Sequence, residues 1–85
     1  MPTVSDIPGP YRLFFYSLDC NERMHVHVQR ERNVCKFWVQ PVALARNQGF
    51  ASKELSIIRE IILKNRDRIM EAWYEHCGAN TGSEN

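Results

Sequence analysis

Between residues 24 and 39, polar and apolar side chains alternate with one short interruption. MHVHVQR (24–30) and VCKFWV (34–39) are period-two runs, the pattern of strands with one covered face. The polar stretch between them supplies a turn. With Glu31 and Arg32 as the bend, Arg30 faces Asn33, Val28 faces Cys35, Val26 faces Phe37 and His25 faces Trp38. Met24, Val26, Val28, Cys35, Phe37 and Val39 then share one wholly apolar face, and His25, His27, Gln29, Val34, Lys36 and Trp38 share the other. A one-residue slip sets valines opposite Lys36 and Trp38, so the first register is expected, with both histidines facing away from the core.

The flanking segments complete the outline. MPTVSDIPGP (1–10) carries three prolines and a glycine, which predicts an extended arm with a short edge strand around Thr3 and Val4. YRLFFYS (11–17) reads as a further strand covered on much of both faces, LDCNER (18–23) as a polar connection, and Pro41 as the end of regular pairing. Ser52 is a plausible N-cap with Glu54 in the first turn, and nothing breaks a helix from there to Cys77, where Gly78 stops it. Leu55, Ile58, Ile62, Ile69, Ala72 and Trp73 form its apolar stripe; Lys53, Glu60, Lys64, Asp67, Glu71 and Glu75 form its wet face. Asn65 falls within the stripe and marks the place for a bend. Residues 79–85 read as a disordered tail. The expected fold is one α+β domain over residues 1–78: an antiparallel sheet of three to four strands packed against one long C-terminal helix.

Composition adds limits. With 85 residues, 44% apolar, 25% charged and a net charge of +1, the chain is an ordinary globular domain with no global drive toward nucleic acid or anionic membrane. The charge is uneven, however. Between Arg23 and Arg46 stand Arg23, Arg30, Arg32, Lys36 and Arg46 against Glu31 alone, so any bias toward an anion lies there. No apolar run approaches the ~20 residues of a membrane helix and no charged-then-apolar leader opens the chain, which predicts a cytoplasmic protein. Cys20, Cys35 and Cys77 are odd in number and widely spaced, so free reduced thiols are expected.

The histidines invite three chemistries. Two imidazoles two apart on a strand lie about 7 Å from each other, a span that suits a divalent ion. A structural zinc needs four ligands, yet Cys35 alternates onto the opposite face and Cys20 lies in a connection of unknown path. No metal or cofactor is therefore assigned. His25 and His27 beside Lys36 could supply acid–base catalysis of RNA cleavage, although no nucleophile or orienting carboxylate is visible. Binding is more economical: His25, His27 and Trp38 offer flat surfaces, while Gln29, Lys36, Arg30 and Arg32 offer polar and phosphate partners for RNA. A protein partner fits the same exposed tryptophan. Separately, ALARNQGFASKELSIIREI (43–61) has the spacing of a helix-turn-helix, with Gly49 at the turn. It gives a DNA-binding alternative through residues 41–60, although the outward side chains are those of an ordinary solvated helix.

MPTV, GPYRLFFYS, MHVHV, KFWVQPVALARNQGF, KEL and EAWYEHCG, in that order over residues 1–78, together resemble the small bacterial family described as domain of unknown function (DUF) 4160. Members often have proline before the histidine strand, where this chain has Arg23 and Met24. Members are often encoded beside another small protein, so the resemblance implies a toxin–antitoxin-like pair; the label of transcriptional regulator also occurs among them. The family supplies no active site to carry over. The expectation is a non-enzymatic interaction module for a small protein partner or RNA, without a membrane role, with a small ribonuclease and a DNA-binding regulator as alternatives.

Overall fold

In a computed structural model that describes residues 3, 4, 7, 9–16 and 19–78, the alternating runs form a four-stranded antiparallel meander. The expected tail and the remainder of the N-terminal arm lie outside the described residues. The strands are β1 (Arg12–Phe14), β2 (His25–Arg30), β3 (Asn33–Val39) and β4 (Val42–Gln48), in that spatial order. A short 3-10 turn, Asp19–Asn21, precedes β2. The β2–β3 register is the expected one, from His25 opposite Trp38 to Arg30 opposite Asn33, with Glu31 at φ 56° in the turn. Thr3 bridges to Phe14, and the Val4 amide donates to the Leu13 carbonyl at 2.8 Å, so the edge-strand reading of Thr3 and Val4 holds in reduced form.

Several expectations are corrected. Pro41 does not end the sheet: the chain reverses at Gln40–Pro41 and returns as β4, which pairs along β3. Residues 43–48 are therefore strand, and the first helix of a helix-turn-helix does not exist. The helix preference of Ala, Leu, Arg and Gln is overridden by the ladder that β3 offers, and the DNA-reading alternative through 41–60 loses its scaffold. The exit from β4 is tightly specified. Gly49 has φ 105°, and a Cβ there would collide with the Asn33 side chain. The Asn47 amide also clasps Phe50, donating to its carbonyl at 2.9 Å and accepting from its N–H at 3.1 Å.

The single long helix is two: α1 (Ser52–Lys64) and α2 (Arg66–Cys77). Asn65, the residue out of place in the stripe, is the break. Its side chain donates to the Ile61 carbonyl at 2.8 Å, which competes with the helical ladder. The N-cap is Ala51 rather than Ser52, and no side chain caps the helix.

The apolar stripe packs on the core, five of its six members being buried and Leu55 partly so. Ile58, Ile62, Ile69, Ala72 and Trp73 are buried and share the core with Val26, Val28, Cys35, Phe37 and Val39. All six side chains expected to be wet are exposed. Among the described residues no helix is long and apolar enough to cross a membrane.

Cys20 and Cys77 are disulfide-bonded across 57 positions of sequence, which corrects the expectation of three free thiols. Sequence spacing could not reveal this, because the pairing depends on α2 returning to the turn before β2. Cys35 alone is free; it is buried, and burial pushes its thiol up to about 12.

Closing a loop of that length restricts the unfolded chain by about 4 kcal/mol. Cys20→Ser should lower the unfolding free energy in urea by up to that amount, and an unchanged midpoint would show that the bridge does not constrain the chain. Trp73→Ala should cost ~3–5 kcal/mol in the same assay; a loss below 1 would place the ring outside the core.

Candidate functional site

Strand parity put His25 and His27 on the face opposite the valines, and that is where they lie. The expectation that this face is open to solvent is corrected. His25 has no exposed surface, and the His27 side chain retains 12%. The Trp73 ring of α2 stands 5.4 Å from His25 and 5.4 Å from Phe15. Phe14 stacks on His27 at 5.4 Å, and Tyr16 meets it edge-on at 4.6 Å. Behind them the disulfide ties Cys20 to the end of α2, and His76 stacks on Phe15 at 5.9 Å. A helix side chain and the chain around the β1–β2 connection thus cover the histidine end of the sheet. Side-chain alternation cannot report this, because it gives direction and not cover.

The buried residue that joins these rings is Asp19, which the sequence reading left in a polar connection. Its Oδ2 accepts the Tyr16 N–H at 2.7 Å and lies 3.2 Å from His25 Nε2 and 3.1 Å from His27 Nε2. Neither ring contact has hydrogen-bond geometry, and both Nε2 atoms are buried without a partner. At His25 the opposite nitrogen is committed: Nδ1 lies 2.7 Å from the Arg23 carbonyl, which can only accept, so Nδ1 carries the hydrogen. In the neutral ring, Nε2 then holds a bare lone pair 3.2 Å from a carboxylate oxygen. Burial lowers the His27 pKa; the Asp19 charge opposes that shift and the His25 charge adds to it.

Beside this cluster opens a pocket of about 320 Å³ whose walls include Tyr16, Asp19, His27, Lys36, Arg46 and Gln48. Arg46 reaches it through a β-bulge. Lys36 pairs with Arg46 but Phe37 pairs with Leu44, leaving Ala45 as the extra residue. Without that insertion Arg46 would fall on the core face with Leu44; with it, Arg46 stands beside Lys36. Lys36 Nζ is 2.8 Å from Glu22 Oε1, whereas Arg46 has no ion-pair partner among the described residues.

The other expected site residues scatter. Trp38 is half-buried, with Arg23 at 4.9 Å and Lys36 at 4.8 Å from its ring centre. Gln29 donates to the Glu31 carbonyl at 3.2 Å, and Arg32 is exposed in the turn. Arg30 lies on the helix side, 3.2 Å from Glu54, and is not brought to the pocket. The ribonuclease alternative loses His25, which cannot touch a substrate. The reading missed Tyr16 and Asp19. Their signal was topological: β1 pairs with β2 as Phe14 opposite His27, so the intervening chain must double back beside the histidines.

Over residues 11–74 the chain matches the model of the family described as Domain of unknown function (DUF4160). That match covers most of its length, and the chain belongs to this family. No curated protein matches it, and no solved structure does.

Asp19→Ala removes the acceptor that holds the Tyr16 amide. Stability should fall by about 1–3 kcal/mol, and the Tyr16 N–H should lose protection in hydrogen exchange. Unchanged protection would show that the carboxylate does not anchor this segment.

Proposed function

We propose that this DUF4160 domain is a non-enzymatic interaction module that binds single-stranded RNA at the Tyr16–His27–Lys36–Arg46 pocket. The carrying observation is the bulge that turns Arg46 onto the face of Lys36, since two cations side by side at a pocket suit phosphate. Tyr16, 43% exposed, offers a ring on which a base can stack, and Gln48 adds an amide at the wall. His25 is not a contact in this reading. Its burial makes it part of the pocket's foundation.

The open side of β4 favours a second reading. β4 is a seven-residue edge strand whose last five residues are exposed. A partner protein's strand could extend the sheet there, which suits a small protein encoded alongside in a toxin–antitoxin-like pair.

Fluorescence anisotropy with a labelled short RNA tests the first reading. Wild type should bind, and Arg46→Ala should reduce the salt dependence of binding by about one phosphate contact. Tyr16→Ala should weaken binding by about 1–3 kcal/mol, and the RNA should remain intact. Absence of binding, or binding indifferent to both substitutions, contradicts the RNA reading. Cleavage that disappears in His27→Ala would instead establish a ribonuclease.

A further inference from the structure

The pocket reading leaves two buried ring nitrogens unexplained. His25 Nε2 and His27 Nε2 have no hydrogen-bond partner, yet both lie within 3.2 Å of one carboxylate oxygen, and Asp19, His25 and His27 each offer a donor atom within 4.8 Å of the other two. A buried lone pair beside a carboxylate is repulsive unless a proton or another cation lies between them. The separations fit such an ion. Tetrahedral bonds of 2.0–2.1 Å place donors about 3.3 Å apart, and the Asp19 oxygen stands 3.1 and 3.2 Å from the two nitrogens.

The surroundings of the donors fit as well. The Arg23 carbonyl at 2.7 Å holds the hydrogen on His25 Nδ1, which leaves Nε2 as the ligating atom, as outer partners of metal-bound histidines do. The Tyr16 N–H at 2.7 Å orients the carboxylate. The two rings meet edge to face, crossed at 89° with centres 5.0 Å apart, which leaves them unstacked beside the carboxylate. Asp19 and His27 also form part of the pocket wall, leaving a side open for a water or an anion as a further ligand.

We propose that Asp19, His25 and His27 form a binding site for a divalent transition metal, Zn²⁺ in the first instance, at the floor of the pocket. Two imidazoles and a carboxylate are a borderline set that favours Zn²⁺ over Mg²⁺ or Ca²⁺. A second group, Cys20, His76 and Cys77, also has its donors within 4.8 Å, but its sulfurs are bonded to each other and cannot serve as thiolates. The site does not depend on RNA binding, and its test contains no RNA, so either proposal can fail alone.

The test titrates Zn²⁺ into the full-length, metal-stripped, disulfide-bonded chain by calorimetry, with Co²⁺ absorption as a second readout. Wild type should take up one ion per chain and melt at a higher temperature once loaded. Asp19→Asn and His27→Gln should weaken uptake by more than about tenfold, whereas His76→Gln should leave it unchanged. The Co²⁺ form of wild type should show visible bands without sulfur-to-metal charge transfer, a reading that stands even if a variant does not fold. No stoichiometric uptake, equal affinity in the Asp19 and His27 variants, loss on His76→Gln, or a thiolate charge-transfer band would each overturn the assignment.

Discussion

One short hydrogen bond sets the chemistry of this domain. By donating Nδ1–H to the Arg23 carbonyl at 2.7 Å, the His25 ring is fixed in orientation and in the placement of its hydrogen, and its other nitrogen must face inward. A free imidazole could turn away from a carboxylate or offer it an N–H. This one is sealed, with no exposed surface, and meets Asp19 with the wrong end for a hydrogen bond in its neutral form. The surrounding packing holds the ring and the carboxylate 3.2 Å apart.

What keeps the ring sealed is the second half of the chain. Asn65 divides the helical segment, and α2 brings Trp73 against both Phe15 and His25. The Cys20–Cys77 bridge fastens the last residue of α2 to the residue following Asp19. The carboxylate is therefore held at one side by the Tyr16 amide and through its chain neighbour by a covalent bond. The cluster is assembled from the turn before β2, from β2 itself and, by cover, from α2.

The sheet register was legible because a period-two pattern admits only one pairing that keeps Val26, Val28, Cys35 and Phe37 together, and a polar turn at Glu31 and Arg32 fixes it. The helix stripe was legible for the same reason at its own period, and Asn65 announced the break by interrupting it. β4 was not legible. Its sequence has helical preference, and only the neighbouring strand makes it extended. Exposure of the histidine face was also beyond local pattern, because the cover comes from Trp73, 48 positions after His25. Asp19 was hidden for a related reason: a lone acid in a connection has no periodicity, and its meaning appears only when the strands on either side are paired.

The most direct measurement is of the ring nitrogens themselves, by ¹⁵N NMR of labelled histidine at a pH where the rings are neutral. The hydrogen of His25 should sit on Nδ1, and one equivalent of Zn²⁺ should shift the Nε2 resonances of His25 and His27 together while leaving His76 in place. A His25 hydrogen on Nε2, or Nε2 resonances indifferent to the metal, would contradict the account.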